Sequence, residues 1–182
     1  MKPIAKNTKN WSDDRFELIN KMLYVLVKFG GSATYHQIAK ALYFAEKEHL
    51  RIYGKRLIND SYKKMDFGPV PSEAYDVMKF VGLMPWYKAL FSRVDDKTIS
   101  AVSQPDMDYL AESETAAIDY SIDLIKDLSF KERTDLSHDE AWESAKMNSW
   151  MDIKKIAEAG GASEDMIEYF IERNEAAKAL AK

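Results

Sequence analysis

Apolar positions recur at helical spacing from the start of the second ten residues. Phe16, Ile19, Met22, Leu23, Leu26 and Phe29 share one face, and Leu18 and Val25 widen it. The spacing predicts a central helix. Ser12 is placed to cap it, Asp13, Asp14 and Glu17 suit its positive end, and Gly30-Gly31 ends it. A second helix is expected from Thr34, with Ile38, Leu42, Ala45 and Ile52 on one face and Gly54 as its stop. Lys55 to Phe67 is polar and irregular. It leads into Gly68-Pro69-Val70-Pro71, where rigid backbone positions aim a short helix, Pro71 to Val81, that stops at Gly82.

The rest of the chain follows the same grammar. Leu83 to Phe91 carries Pro85, Trp86 and Tyr87, and Arg93 to Val102, turning at Asp95-Asp96-Lys97, reads as a small hairpin. Ser113 and Glu114 open a helix through Leu128. Ser129-x-x-Glu132 and Ser137-x-x-Glu140 are capping boxes for two short helices. Ile153, Ile156 and Ala157 mark another, ended by Gly160-Gly161. Ser163, Glu164 and Asp165 open the last, with Met166, Ile167, Phe170 and Ile171 inward. The expected fold is mainly α: a single compact helical domain over residues 12–182, with a small β-hairpin and a C-terminal helix. Residues 1–11 read as a flexible N-terminal arm.

Composition narrows the function classes. With 182 residues, 46% of them apolar and 31% charged, the chain can bury one good core. No apolar run reaches the roughly 18 residues of a membrane span, and residues 1–11 lack the apolar segment of a secretory signal. A cytoplasmic address is expected. There are no cysteines, so disulfides, thiolate catalysis and cysteine-based zinc sites are excluded. The net charge of −4 is unevenly spread. Residues 1–65 hold 13 Lys and Arg against 6 Asp and Glu, and the remainder holds 13 against 24. Either a charged partner is involved, or the basic third and the acidic remainder neutralise each other within one domain.

Candidate chemistry is sparse. Glu46 and His49 stand at i and i+3, half of a di-iron carboxylate site, but neither His36 nor His138 has a glutamate three residues before it. A histidine bonded to a neighbouring carbonyl or carboxylate is the simpler reading. Ser137-His138-Asp139-Glu140 gathers triad-type groups, yet a triad converges in space rather than in sequence. His138 and Trp142, at i and i+4, are placed to pack together. No phosphate-binding glycine loop, dinucleotide fingerprint or HExxH is present. Trp86, Tyr87 and Phe91 form either core or an exposed partner patch. The helix–Gly-Gly–helix start and the basic first third together allow a winged-helix DNA binder.

The segment Ala41 to Lys79, "ALYFAEKEHLRIYGKRLINDSYKKMDFGPVPSEAYDVMK", resembles the signature of the Panacea domain, the SocA-like antitoxin domain also found in phage-associated proteins. The matching positions are Leu42, Tyr43, Phe44, Ala45, His49, Leu50, Tyr53 and Gly54, then Gly68, Pro69, Val70, Pro71 and Tyr75. "LAESE", Leu110 to Glu114, and "DLSHDEAWESA", Asp135 to Ala145 with His138 and Trp142, extend the similarity over roughly Phe16 to Ala145. Glu46 stands where the family has aspartate, Phe67 where tyrosine is common, and Ser137 where threonine is.

The resemblance implies the antitoxin of a toxin–antitoxin pair, with a place in phage defence, that neutralises a cognate toxin by direct protein contact. It implies no catalysis and no cofactor. The signature residues are then scaffold, with the alternative that the Gly68–Pro71 corner contacts a partner. Partner contacts are expected outside them, at Trp86, Tyr87, Phe91, Arg51, Lys55 and Arg56. A DNA-binding regulator is the alternative, and a metal-dependent enzyme built on Glu46, His49 and His138 a further one. The toxin and the oligomeric state stay open.

Overall fold

The computed structural model describes residues 12–180; the expected N-terminal arm lies outside them. Helix α1, Asp13–Lys28, is capped by Ser12, whose side chain accepts from the Arg15 N–H. Strand β1, Ser32–Thr34, leads directly into α2, Tyr35–Tyr53. Thr34 and Gln37 form a full capping box, and Gly54 closes the helix at φ +56°. Strands β2, Tyr62–Met65, and β3, Gly68–Pro71, precede α3, Ser72–Phe80. Then come β4, Phe91–Asp95, and β5, Thr98–Ala101. Four helices follow in the second half before the last: α4 is Glu112–Ile125, α5 Phe130–Ser137, α6 Glu140–Ser144 and α7 Ile153–Ala159. The last, α8, is Glu164–Leu180. The mainly α architecture read from the sequence is what forms.

The structure corrects the sequence reading in four places. The segment Lys55 to Phe67 is not irregular throughout. Its end is strand β2, which pairs antiparallel with the Gly-Pro-Val-Pro segment, Tyr62 opposite Pro71 and Met65 opposite Gly68. Helical periodicity cannot see a four-residue strand, and two prolines argue against one. They are tolerated because β3 is an edge strand, where missing N–H donors leave nothing unpaired. Second, Pro71 is the cap of α3 rather than its first residue and offers no side-chain oxygen. Asp60 supplies the cap from outside the helix, accepting from the N–H groups of Glu73 and Ala74, both at 3.0 Å. Third, Ser137 does not cap α6. Asp139 does, accepting from Ala141 and Trp142, while Ser137 is buried in the last turn of α5. Fourth, Ile52 is 42% exposed: in the last turn of α2 only Leu50 is buried, while Arg51, Ile52 and Tyr53 face solvent.

The core lies between α2, α1 and α4. Ile19, Leu23, Ile38, Leu42, Ile118 and Ile125 are wholly buried in it. The expected hairpin is β4–β5, and β1 joins it as a third strand in the order β1-β5-β4. Helix, strand, helix, helix, strand, strand, with the first strand beside the last, is winged-helix connectivity. The β2–β3 hairpin is inserted between the second and third helices of that pattern. The charge asymmetry resolves inside the fold. Lys21 meets Glu114, Lys28 meets Asp119 and Lys47 meets Asp139, each a basic residue of the first third against an acid of the remainder.

Gly68 fixes the hairpin corner. It sits at φ +94°, and a Cβ there would fall 2.2 Å from Ser137 Oγ and 2.6 Å from Lys40 Nζ. Left-handed strain and this clash act together. Gly68→Ala is therefore expected to cost about 2–4 kcal/mol, which lowers the melting temperature by roughly 4–16 °C for a chain of this size. Pro69→Ala, which loses only backbone restriction, costs about 1 kcal/mol or less. Equal melting temperatures for Gly68→Ala and the parent in a thermal scan would contradict this account.

Candidate functional site

Helix α2 presents Lys40, Tyr43 and Lys47 at i, i+3 and i+7, one stripe facing α5 and α6. All three are engaged. The Tyr43 hydroxyl donates to the Asp139 carboxylate at 2.9 Å, and Lys47 Nζ reaches the same group at 2.6 Å. Burial, and then the negative charge of Asp139, push the Tyr43 phenol far above its usual range, so it stays a donor. Lys40 is fully buried and donates to the Pro69 carbonyl at 3.0 Å. Burial lowers its amine to about 7, with Asp139 acting the other way.

The hairpin is clamped from its other side by Trp142. Its indole N–H donates to the Met65 carbonyl at 3.1 Å. His138 lies flat against the indole, centroids 3.7 Å apart and planes 8° from parallel. Lys64 Nζ stands 3.8 Å from the indole centroid and donates to the Ala145 carbonyl. The expected packing of His138 on Trp142 is thus present, with His138 at the end of α5 rather than on α6. Residues 148–151 extend this sheet: Met151 N–H donates to the Tyr62 carbonyl and Lys64 N–H to that of Ser149.

Glu46 and His49 point to separate tasks. Glu46 is completely buried and accepts from the N–H groups of Leu57 and Ile58, each at 3.1 Å, and from Arg56. Burial pushes its carboxyl up, against the Arg56 guanidinium that holds it charged. Arg56 also donates to the Asp60 carbonyl, so this pair pins the 55–61 loop under α2. His49 Nδ1–H donates to the Lys55 carbonyl at 2.9 Å, which leaves Nε2 to accept from the Ser113 hydroxyl at 3.2 Å. Among the described residues no three His, Asp or Glu side chains gather as a metal ion would need.

The remaining signature positions divide by direction. Gly54, Gly68, Pro69 and Pro71 are buried, Val70 is half-buried, and Tyr75 is exposed beside Tyr35 with Lys79 over its ring. Of the six expected partner residues, three are corrected. Tyr87 and Phe91 are core, closed over by the sheet and α3, and Arg56 is committed to Glu46. Trp86 is 53% exposed, Lys55 is exposed, and Arg51 is exposed but bound to Glu48 at 2.7 Å.

Sequence reasoning passed over Lys40, Asp60 and Arg133, and saw Asp139 only as a triad-type group. Lys40 and Asp139 had a signal: the stripe through Lys40, Tyr43 and Lys47 demands an acid opposite. Asp60 and Arg133 had none, since nothing in the local sequence points to their partners. Arg133 donates to the Leu128 carbonyl and, through Nε, to His36 Nδ1 at 3.5 Å.

Two outcomes test these assignments. Arg56→Ala strands a buried carboxylate and is expected to cost about 3–5 kcal/mol in urea unfolding, whereas Arg51→Ala and Lys55→Ala stay within about 0.5 kcal/mol. Equal midpoints for all three would show that the Glu46 pair is not structural. The second concerns pH. Unfolded, Lys40 keeps its proton to 10.5; folded, only to about 7. Between those values the unfolded state binds more protons, so stability rises with pH. Lys40→Met is expected to flatten that rise between about pH 7 and 9, below the tyrosine range. His36, lowered from 6.5 to about 4 chiefly by burial, has the same sign lower down: stability is lost as pH falls through that window. Parallel melting curves for parent and Lys40→Met across pH 7–9 would refute the first assignment.

No curated protein and no solved structure matches the chain at the significance required. A family model described as the SocA-like antitoxin, Panacea domain, matches residues 38–143, which run from the second turn of α2 nearly to the end of α6. Those residues contain Lys40, Tyr43, Lys47, the β2–β3 hairpin, His138, Asp139 and Trp142; Ala145 and residues 148–151, which also touch the hairpin, lie beyond them. The chain belongs to the family of SocA-like antitoxins that carry the Panacea domain.

Proposed function

We propose that this protein is the antitoxin of a two-gene pair and holds its cognate toxin inactive by direct protein contact in the cytoplasm, without catalysing a reaction. The observation that carries the reading is the family match over residues 38–143. The side-chain chemistry agrees with it. Glu46, His49 and His138, the groups a reaction would have drawn on, are turned to Arg56, to Lys55 and Ser113, and to Trp142. No helix among the described residues is long and apolar enough to cross a membrane. Membership of a family with phage-associated members makes phage defence the setting we favour.

The winged-helix connectivity favours a second reading, DNA binding, and the surface opposes it. In that pattern α3 would enter the major groove. Its outward residues are Glu73, Tyr75, Asp76, Lys79 and Phe80, and Lys79 is already held by Asp76 at 2.8 Å. No surplus of cations faces outward to meet phosphate.

The test is co-expression with the adjacent gene. The neighbour alone is expected to arrest growth, and this protein to restore it while co-purifying with the neighbour's product. A neighbour that is harmless alone, or that stays toxic beside this protein, would sink the reading. A gel shift on the upstream DNA at low salt that weakens steeply as salt rises would move the assignment to a regulator.

A further inference from the structure

The hairpin corner carries two features that its structural role does not use. The first is apolar. Phe67, at the β2–β3 turn, is 60% exposed, and Phe130, the first residue of α5, is 47% exposed. Their rings meet edge to face with centroids 5.2 Å apart. Rings of this size left in water together are costly unless something covers them.

The second is electrostatic. Directly beneath Phe130 lies His36, centroids 4.2 Å apart. Arg133 lies against His36, and Lys40 follows one turn further along α2. Among the described residues none of His36, Lys40 or Arg133 forms an ion pair. Asp139, whose charge reaches Lys40, is already held by Tyr43 and Lys47. The hydrogen bonds set the state of the ring. Thr134 gives its proton to the Phe130 carbonyl, so His36 Nε2–H donates to Thr134 Oγ at 3.2 Å and Nδ1 accepts from Arg133. His36 is thus neutral and Arg133 remains a cation without a carboxylate. Burial holds the Arg133 guanidinium below its ordinary value, with the neighbouring Glu132 acting the other way.

We propose that the corner of Phe67, Phe130 and Arg133 is the surface that receives the toxin, and that it takes an apolar side chain flanked by a single Asp or Glu. The inference rests on the antitoxin reading. The apolar residue covers the two rings, and the carboxylate supplies Arg133, through Nη2, with the charged partner the fold withholds. A polyanion fits less well. Arg133 is only 8% exposed and lies below the rings, and the rim carries the exposed acids Asp66 and Glu132, which repel a run of phosphates.

The experiment uses the full chain and the purified product of the adjacent gene, titrated calorimetrically. Phe67→Ala and Phe67→Asp alter an exposed side chain and are expected to keep the parent's melting temperature while weakening binding at least 10-fold, the aspartate more because it repels the incoming acid. Arg133→Gln is expected to weaken binding and to reduce its salt dependence; Arg133→Lys keeps the charge and restores part of both. Folded Phe67 variants that bind like the parent would overturn the proposal and leave the antitoxin reading standing. So would a loss confined to Trp86→Ala. A parent that fails to bind or neutralise the neighbour refutes the antitoxin reading, and the proposal with it. Self-association in sedimentation, or binding of a short RNA or DNA oligonucleotide, that Phe67→Asp abolishes would assign the corner to a second copy or to nucleic acid and overturn it.

Discussion

Burying most of helix α2, from Ile38 to Leu50, is the constraint to which the remaining structure answers. Twelve of its nineteen residues are buried, and five of those, Lys40, Tyr43, Glu46, Glu48 and His49, are ionisable. A helix placed so centrally for its apolar residues alone would carry none of them. Each buried polar group costs free energy unless partnered, more than any single apolar contact returns. The surrounding segments are therefore shaped as partners. The 55–61 loop bends in to give Glu46 two N–H groups and a guanidinium. Asp139 is positioned by capping α6 and then serves Tyr43 and Lys47. The β2–β3 hairpin lays a carbonyl over Lys40.

This explains why the hairpin has the sequence it has. To reach Lys40 the backbone must pass within contact distance of Ser137 and the lysine amine, and only glycine fits at the point of closest approach. Pro69 then offers a carbonyl with no N–H behind it to satisfy, and Pro71 hands the chain to α3 at a fixed angle. Because proline cannot cap a helix through its side chain, Asp60 does so from the far end of the same hairpin. One buried amine thus links α2, the hairpin and the start of α3.

Most helices were legible in the sequence because they are written twice, in periodicity and in caps. Ser12, Thr34, Ser129 and Gly54 mark real boundaries, and the β4–β5 hairpin was marked by its turn. What escaped notice shares one property: it depends on pairing between distant segments. Strand β2 has no pattern of its own and exists because β3 lies beside it. Tyr87 and Phe91 looked like Trp86 in sequence, yet a 3₁₀ turn at Pro85–Tyr87 sends alternate aromatics to opposite sides. Arg56 looked like a surface cation, because nothing local reveals a buried carboxylate ten residues earlier. The family signature fared better, since its order and spacing already encode those distant pairings.

The same pairings decide what kind of surface the protein offers. The basic first third suggested a cationic face, but Lys21, Lys28, Lys47, Arg51 and Arg56 are matched by acids, three of them from the second half of the chain. That pairing weakens long-range attraction for a polyanion and gives more weight to short-range, shape-dependent contacts. A corner held by glycine, two prolines, a buried amine and a stacked indole loses little further conformational freedom when it is covered. Preorganisation of that kind favours binding because less entropy remains to be lost on association. Phe67 adjoins such a position: the next residue, Gly68, is packed against Lys40 and Ser137, while the Phe67 ring stands in solvent against Phe130. Rigidity below and apolar exposure above both suit a protein-recognition surface; the rigidity also serves the fold, whereas the exposed rings do nothing to hold it together.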